Sequence, residues 1–447
     1  MEKVELEAIF SQFDLPPTVE SRNATVAIPV SDGMQQRYFF FNLKTRKCLI
    51  VKYPKRSGLL TKDGFKFLHH LCSFAVVKTD KYFPKLRTMF RRYHNGISFL
   101  EVLYKVSKPH GVTYVGDQKF LVSLWSSSTY FVIDLKKNTI HLHMLDKKRD
   151  EVFSTYQYFD VEQKETYFAT QSGDDEFYKH AEEAIDFDVP IVIKTYNWLT
   201  EKVKELWRGN FDTDTHYLAL NTDKTLLGLV QFGDFFKKQG VFEENNLLPS
   251  KILVLDLKTR KEWWIDNKGW SPSAHITWDP IEPDVCYLSC HRGVIVPVDN
   301  LFRFFLQKVY KWIMFGPASV HKYRITPEGP KKVGLFTHPE VYRLTIHMVF
   351  MHRDKKVLAC TGFPNFIFFA DADTMEFTEK ITIQESCGSN SVVGSLYPSP
   401  DGEKVFLITT RSFQIIDVAT LTIDHIQDLG KIYDPFNHMI SVSDCEW

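Results

Sequence analysis

Five short segments of the chain repeat one pattern of apolar and polar positions. In each segment a run of aromatic or aliphatic residues precedes an Asp or Asn, and a short turn follows. Such runs predict β-hairpins, because the Asp or Asn side chain closes the turn by bonding the backbone beyond it. The segments cover residues 38–45, 130–136, 252–259, 367–374 and 413–420.

The spacing of these segments predicts a repeat fold. Asp371 and Asp417 are 46 residues apart, and Asp134 and Asp256 are 122 apart, which fits two repeats of about 61. A further strand pair with a polar turn precedes the hairpin in several repeats, as at residues 115–119, 221–224 and 399–404. Four strands in a unit of this length are typical of a propeller blade.

Counting the strand pairs predicts seven blades. Six of them begin at His110, Gln157, His216, His275, His347 and about Gly394. The seventh is shared by the chain ends: residues 438–447 supply its inner strand and residues 24–54 the rest, which closes the ring and removes open edges. We therefore predict an all-β fold with helical insertions, a single seven-bladed β-propeller domain over residues 1–447.

The predicted helical insertions cover residues 61–72, 82–93, 197–207 and 301–315. The last is apolar on most faces, with Arg303, Lys308 and Lys311 interspersed. A helix of this kind caps a core, or it dips into a membrane surface or guards an apolar channel. The pattern leaves both interpretations open.

Four histidines share one repeat position, because each lies ten residues before the first apolar residue of the next strand. They are His110, His216, His275 and His347, counted to Phe120, Leu226, Val285 and Val357. His438 takes the same place in the closing blade, and Gln157 takes it in the third. The inner strand of each blade lines the central channel, so these positions converge on the axis. Neutral imidazoles bind Fe(II), Zn(II) and Mn(II), which predicts an axial metal site, the alternative being a polar channel without metal.

Composition limits the function classes. The chain has 55 basic and 55 acidic residues, so no basic excess favours nucleic-acid binding. The seven cysteines are scattered, as in a cytoplasmic protein with reduced thiols. No signal-peptide core and no apolar run of about 18 residues is present. The aromatic share of 15% favours an aromatic core or an apolar cavity for a small-molecule substrate.

Two residues outside the repeat position are candidates for acid–base chemistry. His291 and Arg292 follow Cys286 and Cys290, whose spacing does not fit a zinc knuckle. The sequence contains neither a phosphate-binding glycine loop nor a serine nucleophile elbow.

The histidine order resembles that of the carotenoid cleavage oxygenases. Intervals of 59 and 72 residues separate His216, His275 and His347, and His438 lies nine residues before the end. The segment 273–280 is also similar to that family. The resemblance implies an Fe(II) on the axis of a seven-bladed propeller, held by four inner-strand histidines, and an apolar entrance that contacts membranes, here residues 301–315. The glycine-rich N-terminal signature of the family is absent.

One blade resembles a second family, the manganese-dependent oligogalacturonate lyases. The similar residues are 275–284 followed by Cys290, His291, Arg292 and Gly293, with Arg292 in place of a family glutamate. This resemblance implies a Mn(II) or Zn(II) lyase.

Three functions follow as expectations. The first is a non-haem Fe(II) oxygenase for an apolar or aromatic molecule, with His216, His275, His347 and His438 on the metal and His110 and Gln157 as further ligands or their hydrogen-bond partners. The second is a metal-dependent lyase or isomerase with His291, Arg292 or a channel tyrosine as the base. The third is a non-catalytic propeller that binds a protein on its rim.

Overall fold

The protein forms a ring of small antiparallel β-sheets. The structure, a computed structural model, describes residues 3–5, 7–12, 25–31, 36–52, 109–124, 129–144, 152–153, 157–171, 189–211, 215–231, 251–266, 273–290, 318–339, 344–362, 365–383, 393–430, 432, 438–443 and 445. Seven sheets lie within these ranges, which confirms the predicted propeller. The described ranges contain no helix, and so none that could cross a membrane. The helices predicted over 61–72, 82–93 and 301–315 fall outside them.

The blades are numbered along the chain, and their strands are given from the axis outward. Blade 1 contains β31 (Ile440–Val442), β3 (Thr25–Ser31), β4 (Gln36–Asn42), β5 (Lys47–Lys52) and β2 (Glu7–Gln12). Blade 2 contains β6 (Pro109–Tyr114), β7 (Lys119–Leu124), β8 (Thr129–Asp134), β9 (Thr139–Met144) and β1 (Lys3–Glu5). Blade 3 contains β10 (Val152–Phe153) and β11 (Tyr158–Asp160), which share the innermost place, then β12 (Glu165–Gln171), β13 (Val189–Asn197) and β14 (Val203–Phe211).

The other four blades have four strands each. Blade 4 contains β15 (Thr215–Leu220), β16 (Leu226–Gln231), β17 (Lys251–Asp256) and β18 (Glu262–Asp266). Blade 5 contains β19 (Ser273–Trp278), β20 (Val285–Cys290), β21 (Ser319–Thr326) and β22 (Gly329–Thr337). Blade 6 contains β23 (Leu344–His352), β24 (Lys355–Gly362), β25 (Phe366–Asp371) and β26 (Phe377–Thr382). Blade 7 contains β27 (Val393–Pro398), β28 (Lys404–Thr409), β29 (Ser412–Asp417) and β30 (Thr422–Asp428).

The repeated Asp or Asn closes the outer hairpin of six blades. Its side-chain oxygen accepts a hydrogen bond from the backbone N–H three residues later. These residues are Asn42, Asp134, Asn197, Asp256, Asp371 and Asp417. The residue four positions after each one has a positive φ. The same local geometry therefore recurs around the ring, as the sequence pattern predicts.

The helix predicted over residues 197–207 is wrong, because this segment is a hairpin. Asn197 ends β13, and its side chain accepts hydrogen bonds from the backbone N–H groups of Leu199 and Thr200. Glu201 then takes a φ of 54°, which an α-helix does not allow. Trp207 lies buried in β14. The helix-forming residues of this stretch are overridden by the turn and by the pairing of β13 with β14.

The hydrophobic core consists of seven clusters, one in each seam between neighbouring blades. Strand β4 shows why its aromatic run is wholly buried. Phe39 and Phe41 face blade 7, where Phe41 stacks on Phe413 with ring centroids 4.5 Å apart. Tyr38 and Phe40 face blade 2 on the other side. Full burial of one such ring contributes about 1.5–3 kcal/mol, so the seams hold the ring together.

The two chain ends meet in blade 1. Strand β31 pairs with β3 over three residues, and Thr25 Oγ1 donates a hydrogen bond to the carbonyl of Cys445 at 3.0 Å. At the outer edges, β2 extends blade 1 and β1 extends blade 2. The first residues of the chain therefore span the edges of two neighbouring blades.

Replacing Glu201 with glycine should stabilise the protein. The left-handed φ costs a non-glycine residue about 1–2 kcal/mol, and the greater unfolded-state entropy of glycine offsets about 0.4–1 kcal/mol of that gain. We expect a net increase of about 0.5–1 kcal/mol in the free energy of unfolding, measured by guanidinium denaturation.

Leu199→Gly is the matched control in the same turn. Leu199 is 79% exposed and has no positive φ, so its replacement should destabilise the protein. Equal losses from both substitutions would contradict the hairpin, because a helix interior penalises glycine at either position.

Candidate functional site

Alternation along the innermost strands determines which side chains reach the central channel. In a β-strand successive side chains point to opposite faces. One set therefore packs against the preceding blade, and the other set faces the following blade. The members of the second set at one end of the strands also reach across the axis. Equivalent positions in different blades are found by counting along the second strand from the residue that pairs with the Asp or Asn of the turn. The pairing of the second strand with the innermost strand then gives the equivalent innermost residues.

One row of equivalent residues, which we call the seam row, lies between the blades. Five of its members are buried apolar residues that belong to the seam clusters. They are Val112, Leu218, Ile276, Leu396 and Met439. Their register partners are equivalent residues of the second strand, such as Leu229 opposite Leu218 and Leu288 opposite Ile276. Gln157, directly before Tyr158, falls in the same row and is fully buried.

His347 belongs to this seam row and not to the channel lining. It pairs with Cys360, the counterpart of Leu288 in blade 5. His347 therefore matches Ile276, whereas the ten-residue spacing matches it to His275. The two counts differ because β23 and β24 join through a two-residue turn, while residues 279–284 separate β19 from β20.

The residues directly before the seam row form the channel end. His275, His438 and Tyr217 hold this position in blades 5, 1 and 4. Their ring centroids form a triangle: His275 to His438 is 4.9 Å, Tyr217 to His275 is 5.0 Å, and Tyr217 to His438 is 5.1 Å. Blade 1 is three places from blades 4 and 5 around the ring. These contacts therefore cross the central channel, and the triangle closes it at one end.

Backbone contacts fix this axial triangle. His438 bridges to Gly111 of blade 2, and the next residue, Met439, donates its N–H to Ser395 Oγ of blade 7 at 3.3 Å. The N–H of His275 donates to Ser289 Oγ at 3.2 Å. Residues 438 and 439 thus connect to both neighbouring blades, and the ring of His438 contacts residues from the opposite side of the propeller.

The backbones of two further predicted ligands reach the same channel end. His110 lies at the register shift between Pro109 and Gly111, and His216 lies at the shift between Thr215 and Tyr217. Their side chains fall outside the described part of the structure, as do His291, Arg292 and the segment 301–315.

The structure brings two of the predicted ligands into ring contact, His275 and His438. Among the residues that it describes, no group of three or more His, Cys, Asp or Glu side chains is placed to hold a metal ion. Sequence reasoning missed Tyr217, although it directly follows His216. The signal would have been the register shift, which moves the axial position from residue 216 to residue 217.

Burial keeps the channel tyrosines neutral. It raises the pKa of Tyr217, and the nearby phenols of Tyr397 and Tyr158 raise it further. Burial likewise raises the pKa of Tyr397 and of Tyr158. These three tyrosines come from blades 4, 7 and 3, so they influence one another across the channel. The channel therefore presents phenol groups without formal charge.

Burial also keeps His347 neutral. It is 3% exposed, and neither ring nitrogen makes a hydrogen bond within the described ranges. Burial lowers the pKa of His347 to about 4, although the backbone of Tyr287 acts in the opposite direction. An imidazole in a row of apolar residues costs stability that an aliphatic side chain would not.

Comparisons with known proteins carry no argument about the fold or the function. No family model and no curated protein matches the chain. A chain of a mitotic checkpoint complex aligns at 12% identity and a TM-score of 0.37, covering 54% of this chain and 61% of that one. Raptor of Chaetomium thermophilum aligns at 13% identity and a TM-score of 0.45, covering 72% and 24%. Hydrazine synthase of Kuenenia stuttgartiensis aligns at 10% identity and a TM-score of 0.45, covering 69% and 76%. The alignment spans less than two thirds of the first two of those chains.

Replacing His347 with isoleucine should stabilise the protein at pH 7. The substitution removes a buried imidazole without hydrogen bonds and supplies the residue found at the equivalent position of blade 5, so we expect a gain of about 1–2 kcal/mol in the free energy of unfolding. The reverse exchange, Ile276→His, should lose at least as much. A large loss from His347→Ile in chemical denaturation would contradict the placement of His347 in the seam.

Proposed function

We propose that the protein is a metal-dependent enzyme whose metal ion is bound by His275 and His438 at one end of the propeller channel. We further propose that it is a non-haem Fe(II) oxygenase acting on an apolar or aromatic small molecule. The observation that carries the proposal is the triangle of His275, His438 and Tyr217 across the ring.

The spacing of the two imidazoles fits a shared metal ion. With metal–nitrogen bonds of about 2.0–2.1 Å, the ring centres of two histidines on one ion lie about 5 Å apart. The centroids of His275 and His438 are 4.9 Å apart. A third donor would come from His110 or His216, whose backbones reach the same channel end. The proposal does not need His347, which packs in a seam.

A neutral donor set suits the proposed chemistry. Imidazoles leave the full charge on an Fe(II) ion, which when bound supplies open positions for oxygen and substrate. Tyr217 packs against both imidazoles and so restrains the orientation of their rings. This positioning role predicts that Tyr217→Phe keeps metal affinity and Tyr217→Ala weakens it.

The channel lining supports an uncharged substrate. Beyond the triangle, the residues that follow the seam row in the described innermost strands are apolar or hydroxylated, and four of them also pack in the seam with the following blade. They include Thr113, Tyr158, Ala219, Thr277, Met348 and Tyr397. A charged substrate would lose its hydration there without meeting an opposite charge, which is costly. An aromatic or apolar molecule would not pay that cost.

Metal analysis of protein purified without chelator tests the proposal. We expect about one equivalent of bound iron, or one after addition of Fe(II) under anaerobic conditions, with oxygen uptake when a substrate is present. Less than about 0.2 equivalent, with no gain on adding Fe(II), Mn(II) or Zn(II), would overturn it. Mn(II) or Zn(II) with turnover independent of oxygen would support the lyase or isomerase instead.

Single substitutions test the assigned ligands. We expect His275→Ala and His438→Ala each to weaken metal binding at least tenfold in a titration followed by calorimetry. His347→Ile and His425→Gln, in a seam and on an outer strand, should bind as the parent protein does. Loss of metal in His347→Ile with full binding in His275→Ala would contradict the axial assignment.

A further inference from the structure

The seam between blades 5 and 6 contains a histidine where five other seams have an aliphatic residue or methionine. His347 faces the cluster formed by Val285, Tyr287 and Val320 of blade 5 with Val349 and Cys360 of blade 6. We propose that His347 is an acid-sensitive latch, and that its protonation loosens this seam locally while the other blades stay packed. The proposal does not depend on the metal site.

No side chain of the described seam compensates a positive charge on His347, and the opposing effect of the Tyr287 backbone is smaller than that of burial. The titratable neighbours of His347 are Tyr287 on β20 and Cys360 on β24. The hydroxyl of Thr277 on β19 donates a hydrogen bond to the backbone carbonyl of His347 at 3.5 Å. Burial raises the pKa of both the Tyr287 phenol and the Cys360 thiol, so neither supplies a negative charge.

The charged groups of this seam lie at its turn end and are paired with one another. Lys356 Nζ lies 3.2 Å from Asp279 and 2.8 Å from Glu282, and it also pairs with Asp373. Lys322 Nζ donates to the carbonyl of Ala372. At the outer end, His338 packs on Phe368 and Phe377. None of these groups forms an ion pair or hydrogen bond with His347 in the described structure.

The direction of the pH effect follows from the two states of the seam. The closed seam holds the pKa of His347 at about 4, whereas a solvated imidazole has a value of 6.5. The closed state is therefore fully favoured above about pH 6.5 and loses stability as the pH falls from there to about 4. Below pH 4 the ring is protonated in both states, and no further loss follows.

Local opening would reach the channel end. Strand β19 carries His275, and its Thr277 contacts the backbone of His347 in β23. When the seam between blades 5 and 6 loosens, β19 loses packing on one face. Acid would thus disturb the axial triangle through its blade 5 member.

Cys360 is a built-in reporter of the latch, because it is buried directly opposite His347. Cys48, buried in the seam between blades 7 and 1, is the reference. Cys286 is unsuitable as the reference, because a second buried histidine faces the seam between blades 4 and 5, in which Cys286 lies. This is His321, which points away from its neighbour Val320 and whose pKa is also lowered by burial, so acid could open that seam too. The labelling rate of each thiol by a dipyridyl disulfide, which reacts in mild acid, is measured by mass spectrometry of the peptides.

We expect the labelling rate of Cys360 relative to Cys48 to rise about 20-fold between pH 7 and pH 5. His347→Ile and His347→Gln should both abolish this rise, and His425→Gln should keep it. Two His347 variants are used, because the test then still works if one of them fails to fold. Equal acceleration of both thiols, a change below about twofold, or an unchanged rise in both His347 variants would overturn the proposal.

Discussion

Strand alternation is the constraint on which both the site and the core depend. Each innermost strand offers one face to the preceding seam and the other to the following seam, and residues of the second face meet across the axis at one end. A shift of one residue therefore exchanges the two environments. His275 and His347 illustrate the consequence. They occupy the same place in a count of residues, but the first lies in an axial triangle and the second is buried between blades. A bulge or a shorter turn is enough to separate them.

The seams explain how a ring with a closed centre is held together. Every described cluster of buried apolar residues joins two neighbouring blades, and the aromatic run of β4 serves the seams on both its sides. The last residues of the chain complete this arrangement by pairing with β3 and by reaching blades 2 and 7. His438 is placed on the axis by that closure, so the candidate site exists only when the ring is shut.

Much of the fold could be predicted from the sequence, because its signals are local. The turn residues Asn42, Asp134, Asp256, Asp371 and Asp417 mark the outer hairpins, and their side chains close the turns that the pattern predicts. The segment 197–207 has a helical pattern but forms a hairpin, since its helix-forming residues are outweighed by the Asn197 turn and by strand pairing.

The site was harder to predict, because it depends on register and not on spacing. A count of ten residues cannot reveal the bulge that gives Tyr217 the axial place beside His216, nor the longer β23 that moves His347 into a seam. The chemistry follows from the geometry only in part, because what the structure shows is two imidazoles and a phenol in contact across the channel.

Nuclear Overhauser effects in protein labelled only on histidine and tyrosine test this arrangement most directly. Our account predicts cross-peaks between the ring protons of His275 and His438 and from each of them to Tyr217, with no cross-peak from either histidine to His347. Cross-peaks that join His347 to His275 or His438, or their absence between His275 and His438, would contradict it.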